Sequence, residues 1–179
     1  SSVGEFLSIV PLIQELEKIK NIKQILVTTS TLSSSKIFEK FRFKKTLHQF
    51  YPLDNVHIVN NFLNYWMPSA VIFVESEIWP TMISELKKRE IKIILINARM
   101  SEKSFKRWFA FKYFGKNILE KFDYIFPQNK ETFSYIKRLG INKLKLLGNL
   151  KFVSTHNDKS KEIDKKYFKN RTILCSAST

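Results

Sequence analysis

Three groups of residues have the types and spacing to do chemistry. Glu5 follows Gly4 at the mouth of an apolar helix, at the edge where a preceding strand would end. A carboxylate there can take a proton from a substrate hydroxyl as a general base, and the positive end of the helix dipole favours its charged form. The same position also suits a first-turn glutamate that only complements the dipole. The second group is Glu75 and Glu77, in Val74-Glu75-Ser76-Glu77-Ile78-Trp79-Pro80. Glu75 ends a strongly apolar strand and Glu77 lies in the strand-to-helix turn. Two carboxylates at the C-terminal end of a strand suit acid/base or hydroxyl-orienting work. The alternative is structural: Glu77 caps the next helix and Glu75 pairs with a neighbouring Arg or Lys.

The third group runs from Arg99 to Lys121. It holds seven basic residues (Arg99, Lys103, Lys106, Arg107, Lys112, Lys116, Lys121) against two acidic ones, Glu102 and Glu120. Aromatics are interleaved with them. At about 100° per residue, Phe111, Phe114, Ile118 and Phe122 share one helix face, and Phe105, Trp108 and Phe109 lie on another. That apolar arc is wider than one core-facing stripe needs. Gly115 is the expected break. One group can pack on a sheet while the other meets lipid, with Lys and Arg at phosphate level; the alternative is core packing with a solvated basic rim.

Other chemistries have little support. The histidines, His48, His57 and His156, have no zinc-site spacing, and Cys175 is the single cysteine, so neither a structural metal nor a disulfide framework is expected. No Walker loop and no GxGxxG occur, so nucleotide sites of those types are not signalled. Basic residues among aromatics could suit RNA, but no RNP-like motif appears and no nucleic-acid partner is expected.

The elements that must position these groups alternate along the chain. Apolar spacing predicts helices over 4–19, 33–43, 55–66, 79–89, 102–121 and 130–139, with strands over 24–29, 70–75, 91–96, 123–127 and 143–147 and a short extended piece at 47–51. Pro68 precedes a strand where a helix must already have ended. Pro80 fits a first helical turn, and Gly140 fits a helix stop. Apolar strands separated by helices imply a doubly wound parallel α/β sheet, covered on both faces, with ligands at the C-terminal ends of the strands. The polar stretch 154–170 reads as a linker or exposed helix. Residues 172–179 read as a buried strand running into a small-residue loop.

The composition fits this class. In 179 residues, 44% are hydrophobic, 14% aromatic and 26% charged, which excludes a disordered or fibrous chain. The net charge is +15, and Lys supplies 25 of the 31 basic residues. Such a chain attracts phosphate-rich partners or anionic membranes, although an AT-rich genome would also enrich Lys.

Four blocks carry a resemblance: Ser-Ser-Val-Gly-Glu (1–5), Val-Glu-Ser-Glu-Ile-Trp-Pro (74–80), Ile-Asn-Ala-Arg-Met-Ser (96–101) and Gly-Asn-Leu-Lys-Phe (148–152). In this order they resemble the signature blocks of the 3-deoxy-D-manno-octulosonic acid (Kdo) transferases of Gram-negative bacteria. The resemblance implies a glycosyltransferase-B architecture, two Rossmann-like domains facing across a cleft. It implies transfer of Kdo from CMP-Kdo to a tetraacylated, bisphosphorylated lipid A precursor (lipid IVA) in lipopolysaccharide synthesis, at the cytoplasmic face of the inner membrane. Glu5 then matches the proposed general base and Glu75 a second essential acidic position, with Glu77 as the competing choice. Gly4, Glu77, Arg99, Ser101 and Lys103 fall on the acceptor side. Gly148, Asn149 and Lys151 lie at the crossing to the donor side. Phe105, Lys106, Arg107, Trp108, Phe109 and Lys112 form the expected lipid face. CMP is a stabilised leaving group, so no cofactor and no obligatory metal are expected.

The resemblance also sets the expected domain division: an acceptor-binding domain over 1–153, a linker over 154–170, and the first strand of a nucleotide-sugar domain over 171–179. Family members carry a membrane anchor and a first strand before the Ser-Val-Gly-Glu block. The chain is therefore expected to be a fragment that does not catalyse transfer alone.

Overall fold

The computed structural model describes residues 3–146 and the backbone of 173–176. Helix α1 (Val3–Lys18) forms because Phe6, Ile9, Val10, Ile13 and Leu16 recur at helical spacing, and all five are buried. It leads to β1 (Ile25–Thr29), α2 (Leu32–Phe38), β2 (Thr46–Phe50), α3 (Val56–Trp66), β3 (Ala70–Val74), α4 (Pro80–Lys88) and β4 (Lys92–Ala98). Then come α5 (Glu102–Ala110), α6 (Lys112–Glu120), β5 (Tyr124–Pro127), α7 (Lys130–Arg138) and β6 (Ile173–Ser176). Pro80 opens α4, and Gly140 follows α7 at a φ of 94°, a conformation that a Cβ would oppose.

The six strands form one parallel sheet in the order β2-β1-β6-β3-β4-β5. Alternation along each central strand feeds two cores. Ile25, Val27, Ile72, Val74, Ile94 and Ile96 pack under α1. Leu26, Val71, Phe73, Ile93, Leu95 and Ile125 pack with buried residues of α3 to α7 on the other face. This is the doubly wound α/β sheet that the apolar runs imply.

Four details depart from expectation. First, α2 ends at Phe38, not near 43. A continued helix would turn Phe43 away from Phe38 and Phe41; the earlier stop lets Phe41 and Phe43 stack at 5.6 Å while Phe41 meets Phe6 edge-on.

Second, the 102–121 helix breaks at Phe111, which has φ −106° and ψ 44°, and not at Gly115. Gly115 is buried inside α6, where an added Cβ would lie 2.8 Å from Trp108 Cε3. The missing side chain lets α5 fold against α6.

Third, of the expected strand 143–147, the described residues 143–146 form a single bridge, between Leu144 and Ile125. Ile125 donates to Lys143 O and accepts from Lys145 N–H. The next donor on β5 would be residue 127, a proline without an N–H, so it adds no bond to this ladder.

Fourth, the terminal strand expected to open a second domain lies here in the middle of the same sheet. Ile173–Ser176 pairs with β1 on one side and β3 on the other. A strand in that slot satisfies backbone groups of both neighbours that would otherwise be buried unpaired.

One carboxylate anchors the edge of the sheet. Glu17 Oε1 accepts from Lys45 N–H (2.7 Å), Thr46 Oγ1 (2.8 Å) and Lys44 N–H (2.9 Å). Burial alone would raise the carboxyl's pKa, and these hydrogen bonds outweigh it, leaving a net fall below the ordinary 4.5. The unfolded chain then binds the proton more tightly, so this stabilisation is present above the ordinary glutamate value and is lost as pH falls through the lowered one. Glu17→Gln is expected to cost about 1 kcal/mol near neutrality, after discounting for solvent screening. Urea unfolding checks this: the gap between variant and wild type should shrink below pH 4.5, and a gap constant with pH would contradict it.

Candidate functional site at the carboxyl edge of the sheet

All six strands point the same way, so one edge collects their C-terminal ends and the loops that follow. Glu75 is the first residue after β3. It is 4% exposed and sits in the left-handed region at φ 58°, which is uncommon for a side chain of this size. Beside it, β4 carries Asn97, 2% exposed and also left-handed at φ 51°.

The cause is a bulge. Glu75 donates to Ile96 O at 3.0 Å and accepts from Arg99 N–H at 3.3 Å. A regular parallel ladder would use partners two residues apart, so β4 holds one extra residue here. The other side agrees: Leu95 pairs with Ile125 and Ala98 with Pro127, three steps on β4 against two on β5. The bulge places the Asn97 amide against the Glu75 carboxylate, Nδ2 donating to Oε1 at 3.1 Å.

Glu77 lies two residues on and is also buried. It accepts a hydrogen bond from the Trp79 indole N–H. Trp79 stacks on Tyr51, ring centroids 5.0 Å apart. Burial pushes the Tyr51 hydroxyl well above its usual pKa of 10, and the nearby Asp54 and Glu77 charges push it further. Asp54 caps α4, accepting from Thr81 N–H (3.1 Å) and Met82 N–H (2.9 Å). The cap considered for Glu77 is thus supplied by Asp54, from the loop after β2.

Glu5 reaches the same edge from the helix layer. It lies in the first turn of α1 and is half-buried; its carbonyl accepts from Ser8 Oγ at 2.7 Å. The α1 helix ends at Lys18 shortly before β1 begins, and it packs on the sheet. It therefore runs against the strands, and its N-terminus, with exposed Gly4, lies at their C-terminal end.

Arg99 and Lys103 are exposed. Arg99 continues from the bulge, and its carbonyl lies 3.5 Å from the Ser76 hydroxyl. Ser101 is the N-cap of α5, accepting from Ser104 N–H at 3.2 Å; this capping was not anticipated.

The expected lipid face divides differently from the helical wheel. Phe105 is buried, stacked on Tyr135 at 4.6 Å with the Arg138 guanidinium 4.7 Å from its ring. Trp108 packs on the core over Gly115. Phe105 is thus closed to lipid by α7, and Trp108 is only half-buried, its ring turned toward α6. The exposed aromatics are Phe109, Phe111, Tyr113 and Phe114, with Tyr113 94% exposed. Lys106, Arg107 and Lys112 are exposed on the same two helices. Lys112 Nζ lies 5.5 Å from the Phe109 ring, and Lys106 pairs with Glu102 at 2.8 Å. A cavity of about 440 Å³ lies between α5 and α7.

Gly148, Asn149 and Lys151 lie outside the described residues. Among the described residues no three His, Cys, Asp or Glu side chains form a group that could hold a metal ion. No described helix is long and apolar enough to cross a membrane. The sequence reading missed Asn97, Tyr51 and Asp54. Only Asn97 had a visible signal, a polar residue inside an otherwise apolar strand.

The chain is similar in sequence to known proteins. Residues 1–154 match the family described as 3-Deoxy-D-manno-octulosonic-acid transferase (kdotransferase). A 3-deoxy-D-manno-octulosonic acid transferase of Rickettsia felis is 38% identical over 182 residues, which cover 100% of this chain and 39% of the relative. A protein of the same name from Haemophilus influenzae is 28% identical, covering 100% of this chain and 43% of that one. A probable mitochondrial 3-deoxy-D-manno-octulosonic acid transferase of Arabidopsis thaliana is 40% identical over 107 residues, 60% of this chain and 24% of the relative. The chain spans about two fifths of the length of the bacterial relatives it matches.

Proposed function

Because this chain belongs to the 3-deoxy-D-manno-octulosonic acid transferase family, a family of glycosyltransferases, we propose that it forms the acceptor-binding half of a Kdo transferase. The donor is CMP-Kdo and the acceptor a tetraacylated, bisphosphorylated lipid A precursor, at the cytoplasmic face of the inner membrane. The division into an acceptor domain over 1–153 and a linker over 154–170 is part of the same proposal, with residues 173–176 completing the acceptor sheet. The observation that carries this reading is the bulged carboxyl edge, where a buried carboxylate is held in a left-handed turn at the same end of the sheet to which the α1 N-terminus brings a second one. Strained backbone of this kind persists where the surroundings over-determine it, and it clusters at functional sites.

In the proposed reaction the acceptor sugar hydroxyl attacks the anomeric carbon of Kdo. The new C–O bond forms as the bond to the CMP phosphate breaks, with inversion. Glu5 takes the hydroxyl proton. Glu75 orients the acceptor at the edge of the sheet, and we favour it over Glu77 because Glu77 holds the Trp79 indole. Arg99 and Lys103 hold acceptor phosphate, with Ser101 beside them at the α5 N-terminus. Gly148, Asn149 and Lys151 serve the donor side. CMP leaves as a stabilised phosphate, so no metal is required.

A second reading, a protein that binds anionic lipid without transferring sugar, is favoured by one feature: the exposed aromatics and cations around Phe111. Vesicle flotation of the gene product bears on the lipid surface common to both readings. Binding to vesicles carrying the bisphosphorylated acceptor should exceed binding to neutral vesicles, fall with salt, and drop several-fold in a Lys106→Glu/Arg107→Glu variant. Equal, salt-insensitive binding to neutral vesicles would contradict that surface.

A further inference from the structure

Asn97 is a costly residue for the middle of a sheet. Its amide nitrogen serves Glu75, while its Oδ1 is buried without a hydrogen-bond partner among the described residues. A buried carbonyl left in that state costs stability, and a native protein rarely keeps one without a reason. The backbone adds to the cost. An unbulged β4 would keep residue 97 in the regular ladder with its side chain perpendicular to the sheet. The extra residue instead rotates Asn97 into the left-handed region, which Asn tolerates better than most residues. Bulges of this kind re-aim a side chain next to an active site.

We propose that Asn97 is a positioning residue that fixes the Glu75 carboxylate toward the acceptor, the bulge in β4 serving to aim its amide at that carboxylate. The proposal rests on the reading that Glu75 takes part in transfer. Glu75 follows β3 at a turn whose backbone already bonds to both sides of the bulge, Ile96 and Arg99. Its main chain is thereby held, and the Asn97 amide holds its carboxylate oxygen. Asn97 itself needs no contact with substrate.

The test uses Asn97→Gly in the full-length gene product. Glycine accepts the left-handed φ, so the bulge survives and only the amide is lost. Turnover should fall about tenfold to a hundredfold, the loss expected when a reacting group is misplaced by about 1 Å, with the acceptor KM changed less than turnover. Asn97→Gly should add little to Glu75→Ala, because both act on one carboxylate; a purely structural Asn97 would give additive losses. Crystal structures of the wild type and of Asn97→Gly provide a readout without activity: one ordered Glu75 conformer in the first and a displaced or divided one in the second. An unmoved Glu75 with unchanged turnover would overturn the proposal. A wild type that transfers no Kdo would instead overturn the reading beneath it, whatever the Glu75 conformer does.

Discussion

Glu5→Gln in the full-length gene product is expected to lower Kdo transfer by about 10²- to 10⁴-fold, the contribution of a positioned general base, while acceptor affinity changes little. Placement is the reason. Glu5 stands in the first turn of α1, and α1 is fixed on the sheet by five buried apolar residues. Phe6, next to Glu5, is fully buried and touches the Phe38 and Phe41 rings. The backbone at Glu5 is therefore rigid, as proton transfer over a fixed distance requires. Glutamine has the same size and keeps a hydrogen-bonding oxygen, so the acceptor still docks, but a neutral amide cannot take the proton. Steady-state kinetics with isothermal titration of the acceptor separates the two effects. Near-normal turnover by Glu5→Gln would remove Glu5 from the chemistry and leave it the helix-dipole role.

The second large effect is expected at Glu75. Glu75→Gln keeps an oxygen for the Asn97 amide and the size of the side chain, so the fold should be retained to within about 1 kcal/mol. Turnover should nonetheless drop on the order of 10²-fold, because a charged group that orients a polar substrate forms hydrogen bonds roughly twice as strong as neutral ones and misplacement of the acceptor is costly. Glu77→Gln is the control. Its oxygen can still accept the Trp79 indole N–H, so transfer should fall less than in Glu75→Gln. The reverse ranking, measured as kcat/KM under the same conditions, would move the second essential carboxylate to Glu77.

Much of this site is legible in the amino-acid sequence, for identifiable reasons. Helical spacing in 6–16 and the unbroken apolar run 70–74 define the elements locally, so the residues at their ends, Glu5 and Glu75, stand out. The features that stay hidden depend on partners distant in sequence. The bulge at Asn97 is a mismatch between β4 and both its neighbours, which no reading of 91–98 alone displays. The Asp54 cap on α4 bridges 27 residues, and the Tyr51–Trp79 stack bridges a similar stretch. The wide apolar arc of 102–121 signals a break, but its place at Phe111 stays hidden because Gly115 is the residue with the ordinary breaker signal. The inward turn of Phe105 is decided by Tyr135 and Arg138 of α7. Gly115 stands out in the sequence as a helix breaker, but its role in the fold is to let Trp108 approach.

The central claim is that this carboxyl edge receives a lipid acceptor for Kdo. The most direct measurement incubates the full-length gene product with CMP-Kdo and the tetraacylated, bisphosphorylated lipid, and follows lipid mass and released CMP. Acceptor-dependent release of CMP is expected, with a lipid heavier by one or more Kdo units and both signals lost in Glu5→Gln. Transfer from a different nucleotide sugar, or intact acceptor after incubation with folded protein, would contradict the claim.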